Sequence, residues 1–463
     1  MVKFPLRRRH QREWDDKMPS TALKERLLSA EEILDLFAGL QPDPAWSFAE
    51  CTPRDTCRLT HGYHRYPAKF IPQIVDKLLD IYTDPRRPTV VNDLFMGSGT
   101  TIACAIERGY RATGTDINEV ACLITRAKST PLDPEKLEHR RLWLYERLRP
   151  LDDGYVSNGV LPAILPRSER IDTWFPERQK HELGQILAAL MEIEDEDERN
   201  FFLCCFSHIL KNCSLWHMGS TKPARDPSRE PRRPWPTFLV HLQKMTDRNR
   251  AFWHTVPPAV RTHIHEYLDV RCHDARHLPF PDNSTDIQIT SPPYVTSYEY
   301  ADLHQLTALW LHYVHDLRDF RQKFIGTSRP TNHRPYHGHS EIAEEILAQM
   351  EKADAGLVPS IRRFFSDMSE CFSESYRILR PGGRACYVIG NTQLKGVAVR
   401  NAEVFVELMQ EAGFILERVI KRQIPSKILP QRRDPNNGRF VSHQIPQCVE
   451  AYPVEYIIIM RKP

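Results

Sequence analysis

The sequence predicts an α/β fold in which a doubly wound, mostly parallel sheet carries an inserted, mostly helical region. Residues 61–130 alternate strand and helix patterns, residues 131–265 are mainly helical with loops rich in proline and arginine, and residues 266–463 return to short β-rich runs between helical stretches. Such alternation is typical of a parallel sheet covered by helices, and the middle stretch interrupts it. We therefore predict an N-terminal basic and helical extension (1–60), a cofactor-binding half (61–130), a helical insertion that recognises the target (131–265) and a catalytic half (266–463).

Composition excludes several classes of protein. The chain has 463 residues, of which 41% are hydrophobic and 27% are charged, so wholesale disorder is excluded. No apolar run approaches the roughly 20 residues that span a bilayer, and the first residues contain no apolar stretch of the signal-peptide type. Eleven cysteines without a Cys-x-x-Cys pair argue against a disulfide framework or a zinc knuckle. We expect a soluble, cytoplasmic protein with reduced thiols.

Positive charge is concentrated locally although the formal net charge is only +3. Residues 1–12 hold five basic side chains and no acid, residues 222–250 hold eight against three acids, and residues 421–439 hold six against one. Solvated surface is the simpler interpretation of any one run. Proline and aromatic residues interleaved with two of these runs favour a groove for a polyanion. The candidate phosphate contacts are Lys222, Arg225, Arg232 and Arg233.

A glycine-rich turn is the first candidate site. A β-branched run ends at Asp93, Gly97-Ser-Gly99 follows, and a helical pattern begins directly after it. A second strand ends at Asp116, 23 positions after Asp93, where an acid can bind ribose hydroxyls. Ile102 stands where the dinucleotide fingerprint requires its third glycine. The pattern therefore favours a nucleoside cofactor other than a dinucleotide, whereas the alternative is an ordinary turn.

The second candidate site is Ser291-Pro292-Pro293-Tyr294, which directly follows a strand pattern over residues 287–290. Two prolines fix the backbone, so that the Ser291 hydroxyl and the Pro292 carbonyl can accept hydrogen bonds at one point. An aromatic ring beside them can stack on a planar base. Two acceptors can draw an exocyclic amine toward tetrahedral geometry for in-line methyl transfer. The alternative is a Pro-Pro turn with a surface tyrosine.

Both blocks resemble those of the S-adenosylmethionine-dependent DNA amino-methyltransferases. Asp-Leu-Phe-Met-Gly-Ser-Gly-Thr-Thr at residues 93–101 is similar to that family's Asp-Pro-Phe-x-Gly-Ser-Gly-Thr-Thr motif, with leucine in place of proline. The turn at residues 291–294 is similar to its (Asp/Asn/Ser)-Pro-Pro-(Tyr/Phe/Trp) motif, whose serine form is associated mainly with cytosine N4. The resemblance implies a Rossmann-like methyltransferase sheet. It also implies a catalytic turn formed by Ser291, Pro292, Pro293 and Tyr294, and cofactor contacts from Asp93, Phe95, Gly97, Gly99, Thr100 and Asp116.

Two flanking blocks extend the resemblance. The segment at residues 61–72 is similar to the one that precedes the glycine motif in these enzymes, which makes Lys69 the counter-charge for the methionine carboxylate. Residues 267–276 resemble the third strand and its turn, which would place Asp274 at the adenine amine. We expect no metal, although His333, His337 and His339 cluster in the sequence, because the sulfonium of the cofactor is already an electrophile.

The predicted function is site-specific DNA methylation with S-adenosylmethionine, most readily at cytosine N4 of a base flipped out of duplex DNA. Adenine N6 methylation, RNA amino-methylation and a non-catalytic nucleic-acid-binding module with the cofactor fold are the alternatives. Double-stranded DNA and a cognate restriction endonuclease are the expected partners. The cofactor half precedes the catalytic half, and the insertion of about 135 residues falls after Asp116 rather than between Asp274 and Ser291.

Overall fold

The computed structural model describes residues 26–66, 70–152, 161–220, 223–295, 300–327, 338–425, 432–433, 449–450 and 454–463. Lys69, Lys222, His333 and His337 lie outside these residues. Within the described ranges, none of the helices combines the length and apolar character needed to span a bilayer.

A seven-stranded sheet forms the centre of the molecule, in the order β3-β2-β1-β4-β5-β11-β8. The strands β3, β2, β1, β4 and β5 are parallel to their neighbours, whereas β11 is antiparallel to both β5 and β8. The strand order reverses between β1 and β4, and such a switch point is where open α/β sheets bind ligands. The strands are β1 (Val90–Asp93), β2 (Arg111–Asp116), β3 (Leu268–Cys272), β4 (Thr285–Thr290), β5 (Leu379–Ile389), β6 (Thr392–Leu394), β7 (Val397–Val399), β8 (Ile415–Gln423), β9 (Arg432–Arg433), β10 (Val449–Glu450) and β11 (Val454–Arg461).

Helices cover both faces of the sheet, which confirms the predicted doubly wound α/β fold. On β11, Ile457 and Ile459 belong to the core on one face, and Ile458 and Met460 to the core on the other, as the two-residue period of a strand requires. The helices of the described residues are Ala30–Gly39, Pro53–Thr56, Pro72–Tyr82, Thr100–Glu107, Glu119–Ser129, Pro134–Leu148, Glu169–Trp174, Glu177–Met191, Glu196–Ile209, Pro234–Thr255, Pro258–Thr262, Ile264–Tyr267, Tyr300–Leu303, Gln305–Trp310, Leu317–Lys323, Glu341–Asp354, Val358–Ile378 and Asn401–Glu411.

The helices between β2 and β3 enclose a third core of their own. Large aromatic side chains fill it, including Trp174, Phe201, Trp235 and Trp310. Trp310 comes from the segment that follows the Ser-Pro-Pro-Tyr turn, so this helical region packs directly against the chain beside the predicted catalytic turn.

The described part of the N-terminal extension packs on the sheet domain. Ile33 and Phe37 of the helix Ala30–Gly39 lie in the same apolar core as the helix Val358–Ile378. Leu28 exchanges backbone hydrogen bonds with the Gln410 side chain, at 2.9 Å in each direction. This segment therefore forms part of the core around the last strands.

Candidate functional site

The glycine turn connects β1 to the helix Thr100–Glu107 at the switch point. Gly97 and Gly99 have φ values of +49° and +69°, a left-handed conformation in which a Cβ is strained. A Cβ on Gly99 would lie 2.6 Å from Cγ2 of Thr125, and one on Gly97 would lie 3.3 Å from the Tyr66 ring. Both glycines are therefore required by backbone conformation and by close contacts with neighbouring side chains.

Side chains of the helix Glu119–Ser129 hold this turn in place. The Thr125 hydroxyl donates to the Gly97 carbonyl at 3.1 Å, and the buried Lys128 ammonium donates to the Ser98 carbonyl. Fixed carbonyls orient the rest of the turn, including its N–H groups, before any ligand arrives. The turn is therefore preorganised, which reduces the entropic cost of binding.

Asp93 lies at the carboxyl end of β1, where it is buried. Its Oδ1 accepts a hydrogen bond from the Thr290 hydroxyl at 2.6 Å and another from the Phe95 N–H at 3.1 Å. Burial raises the pKa of Asp93 to about 7, although these hydrogen bonds favour the ionised form. The carboxylate thus connects the glycine turn to the last residue of β4, one position before the Ser-Pro-Pro-Tyr turn.

Asp116 lies at the carboxyl end of β2 and lines the cleft. Its Oδ2 accepts from the Gly97 N–H and its Oδ1 from the Asn118 N–H, both at 2.9 Å. Burial raises the pKa of Asp116 to about 6, and the backbone hydrogen bonds oppose that shift. Asp116 therefore stabilises the glycine turn as well as facing the cleft, a second role that its sequence position did not predict.

Asp274 lies beyond the end of β3 and also lines the cleft, but it is ion-paired. The Arg276 guanidinium donates to its two carboxylate oxygens, with the shortest contact at 2.6 Å, and reaches Asp367 at 2.7 Å. Burial disfavours the charge of Asp274, but the hydrogen bonds from Arg276 outweigh it and lower the pKa. An adenine amine at this point would share the carboxylate with Arg276.

The Ser-Pro-Pro-Tyr turn follows β4 on the other side of the switch point. Ser291 and Pro293 line the same cleft as the glycine turn, and Pro292 between them is buried. Tyr294 does not line that cleft. It is half-buried, and its hydroxyl lies 3.6 Å from the position that a Cβ on Gly390 would occupy, at the end of β5. The tyrosine thus marks a position beside the cofactor cleft rather than inside it.

The cleft has an open volume of about 800 Å³, within the range of small-molecule sites. Sequence reasoning missed much of its wall, because these residues come from segments with no motif. They include aromatic side chains before the glycine turn, after the catalytic turn and after the helix Leu317–Lys323. The missed lining residues with large side chains are Tyr66, Phe70, Tyr300, Lys323, Phe324 and Ile325.

A buried histidine supports the aromatic part of this wall. The Nδ1 of His304 accepts from the Asn118 amide at 2.8 Å, and the Asn118 Oδ1 is occupied by the Val120 N–H at 3.0 Å. The ring proton of His304 therefore lies on Nε2, and burial lowers its pKa so that the ring stays neutral. The Tyr66 ring packs 4.7 Å from it, centroid to centroid.

The predicted phosphate contacts divide into two kinds. Arg225 and Arg232 are exposed. Arg233 is only partly exposed, because it donates to the Leu151 carbonyl and its Nε lies 3.6 Å from the Glu182 carboxylate. These internal partners give Arg233 a structural role and make it a poorer candidate for phosphate.

The fold and this cleft define a nucleoside-cofactor α/β enzyme with a polar turn beside its cofactor site. The family model described as DNA methylase matches residues 10–127. The type II methyltransferase M.MjaII of Methanocaldococcus jannaschii is 34% identical over 83% of this chain and 80% of its own length. The type II methyltransferase M.MvaI of Kocuria varians is 25% identical over 88% of this chain and 92% of its own length.

The chain belongs to the S-adenosylmethionine-dependent DNA amino-methyltransferase family, and S-adenosylmethionine is its cofactor. Among solved structures, a DNA modification methylase of Thermus thermophilus in complex with S-adenosyl-L-methionine is 18% identical over 41% of this chain and 53% of that chain, with a TM-score of 0.22.

Proposed function

We propose that this DNA amino-methyltransferase modifies the N4 amine of cytosine in duplex DNA. The observation that carries the proposal is Ser291, an uncharged hydroxyl at the first position of the turn and on the wall of the cofactor cleft. A serine is short and adds no negative charge, whereas an aspartate there would reach further and carry a full charge. The two forms of the turn therefore need not favour the same base.

The cleft suits S-adenosylmethionine chemically. The carboxylates of Asp93, Asp116 and Asp274 lie around it, and they complement the ammonium and sulfonium charges and the ribose hydroxyls of that molecule. The left-handed glycines let the backbone approach a ligand where a Cβ would not fit. When bound, the cofactor supplies an electrophilic methyl group.

The roles of the chain's own groups follow from this arrangement. We assign the Ser291 hydroxyl and the Pro292 carbonyl as acceptors of the two amine hydrogens, which pulls the nitrogen lone pair out of conjugation with the ring. We assign Tyr294 as the platform on which the flipped base stacks, consistent with its place beside the cleft rather than in it. The methylated amine then loses one proton to solvent.

We also propose that the helical region 131–265 contacts the DNA, with Arg225 and Arg232 on phosphates. Its core includes the segment that follows the catalytic turn, so contacts made here can be felt at the base. A cognate restriction endonuclease is a further proposal, supported by relatives that are named type II methyltransferases.

Mass spectrometry of nucleosides tests the product. Full-length protein is incubated with S-adenosylmethionine and either duplex DNA or structured RNA, and the nucleic acid is then digested. We expect N4-methylcytosine from DNA. N6-methyladenine as the sole product would refute the cytosine assignment, and methylation of RNA alone would refute the DNA substrate. Cofactor binding without any product would favour a binding module.

A pair of serine variants sharpens the test. Ser291→Ala removes one proposed acceptor and should slow methyl transfer by about 100-fold, the scale found when one hydrogen-bonding group is removed from an active site. Ser284→Ala is the matched control, because its hydroxyl donates only to the Pro281 carbonyl on an exposed turn. Equal rates for the two variants would remove Ser291 from the catalytic turn.

A further inference from the structure

Two cysteines flank the turn that positions Asp116. Cys122 lies on the helix Glu119–Ser129, with its Sγ 3.6 Å from the Asp116 carbonyl oxygen. Cys272 is the last residue of β3, with its Sγ 3.6 Å from the carbonyl oxygen of Ile117, the next residue. The strand register pairs Asp116 with Cys272, so the two sulfurs lie on neighbouring peptide groups of one turn.

The thiols contact each other and are chemically unequal. The Cys122 thiol donates a hydrogen bond to the Cys272 sulfur, which lowers the pKa of Cys272 and raises that of Cys122. Cys272 is exposed, whereas Cys122 is buried. An exposed, more acidic thiol beside a buried one is the arrangement of an attacking and a resolving cysteine.

We propose that Cys122 and Cys272 are a reversible modification site, oxidised to an intramolecular disulfide by a low-molecular-weight disulfide such as glutathione disulfide, and that this bond weakens cofactor binding. The Cys272 thiolate attacks one sulfur of the small disulfide and expels one small thiolate. The Cys122 thiolate then attacks the Cys272 sulfur and expels the second. Two electrons pass to the small disulfide, and the two thiol protons are taken up by its two thiolates or by solvent.

The effect on binding follows from what the helix carries. A disulfide brings its sulfurs to about 2 Å, closer than two thiols in hydrogen-bonding contact, so the helix Glu119–Ser129 and the end of β3 must move together. Asn118 caps that helix, and its backbone N–H holds Asp116. Asp116 and Ile117 both line the cleft. The loss of affinity rests on the proposed cofactor role of Asp116, whereas formation of the disulfide does not.

Peptide mapping after oxidation tests the bond itself. Full-length protein is treated with glutathione disulfide, digested without reduction and analysed by mass spectrometry. We expect a peptide that links Cys122 to Cys272 and disappears after treatment with dithiothreitol. Glutathione attached to Cys272 with no link to Cys122 would overturn the proposal, as would an unmodified pair.

Calorimetry on the same samples tests the consequence. Oxidation should weaken S-adenosylmethionine binding by about fivefold or more, the lower end of typical coupling between sites, and reduction should restore it. Cys272→Ser should bind normally and ignore the oxidant, whereas the matched variant Cys57→Ser should respond like the unmodified sequence. A disulfide that forms without changing affinity would refute the coupling and leave the proposed methyl transfer untouched.

Discussion

Replacing Asp93 by asparagine should stabilise the fold and weaken cofactor binding at the same time. The buried carboxylate has a pKa of about 7, against an ordinary value of 3.8. At about 1.36 kcal/mol per pH unit, that difference makes the ionised carboxylate about 4 kcal/mol less favourable in the folded protein than in the unfolded chain. Asparagine carries no charge, and its oxygen can still accept from the Thr290 hydroxyl and the Phe95 N–H.

The sign of the pH dependence follows from the same pKa. Below about pH 4, Asp93 is protonated in both folded and unfolded states, so it adds no penalty. Between about pH 4 and pH 7 the unfolded chain loses this proton while the folded protein keeps it, and the stability of the unmodified protein falls. Above pH 7 the penalty is constant. The advantage of Asp93→Asn should therefore grow from pH 4 to pH 7 and then level off.

Thermal unfolding of both proteins at several pH values measures this difference. The exposed Glu177→Gln is a matched control for loss of one carboxylate, since its side chain is 75% exposed. Calorimetry with S-adenosylmethionine provides the second measurement, because the cationic cofactor favours an ionised Asp93. The reasoning is refuted if Asp93→Asn is less stable than the unmodified protein at pH 8, or if its advantage shrinks as the pH rises.

Four further changes probe the rest of the site. Asp116→Ala should weaken S-adenosylmethionine binding by about 1–3 kcal/mol in calorimetry, because a charged acceptor is lost. Gly99→Ala should lower the melting temperature through its left-handed backbone and its clash with a neighbouring side chain, at a cost of about 1–3 kcal/mol. Tyr294→Ala should lose most methylation of duplex DNA in a radiolabel assay while keeping cofactor affinity, since stacking contributes about 1–3 kcal/mol. Replacing both Arg225 and Arg232 by glutamine should reduce the salt dependence of DNA binding by about two or less on a log–log plot.

Each of these changes has a control that separates the site from the scaffold. Gly396→Ala keeps a positive φ of +83° but meets nothing within 4 Å, so its difference from Gly99→Ala measures the clash alone. Tyr294→Phe keeps the ring and should retain most activity. Unchanged cofactor affinity in a folded Asp116→Ala protein would remove Asp116 from the site. If the arginine pair alters only the choice of target sequence and leaves the salt slope intact, these residues contact bases.

The sequence alone determined the parallel sheet and the two turns at its switch point. Strand, glycine turn, helix and terminal acid are local patterns, because each depends on backbone conformation within a few residues. The left-handed Gly97 and Gly99, and Asp116 at the end of β2, are therefore readable from spacing. The serine of the catalytic turn was readable for the same reason.

The tertiary structure alone decided what surrounds those turns. Tyr66, Tyr300 and Phe324 meet at one cleft although more than 200 residues separate the first from the others, and no spacing rule links such distant positions. The pairing of Asp274 with Arg276 and Asp367, and the hydrogen bonds that Asp116 accepts from the glycine turn, are likewise invisible in sequence. Local sequence fixes backbone conformation, whereas burial and long-range packing fix the partner of each charged group, and those partners set its pKa and its availability to a ligand.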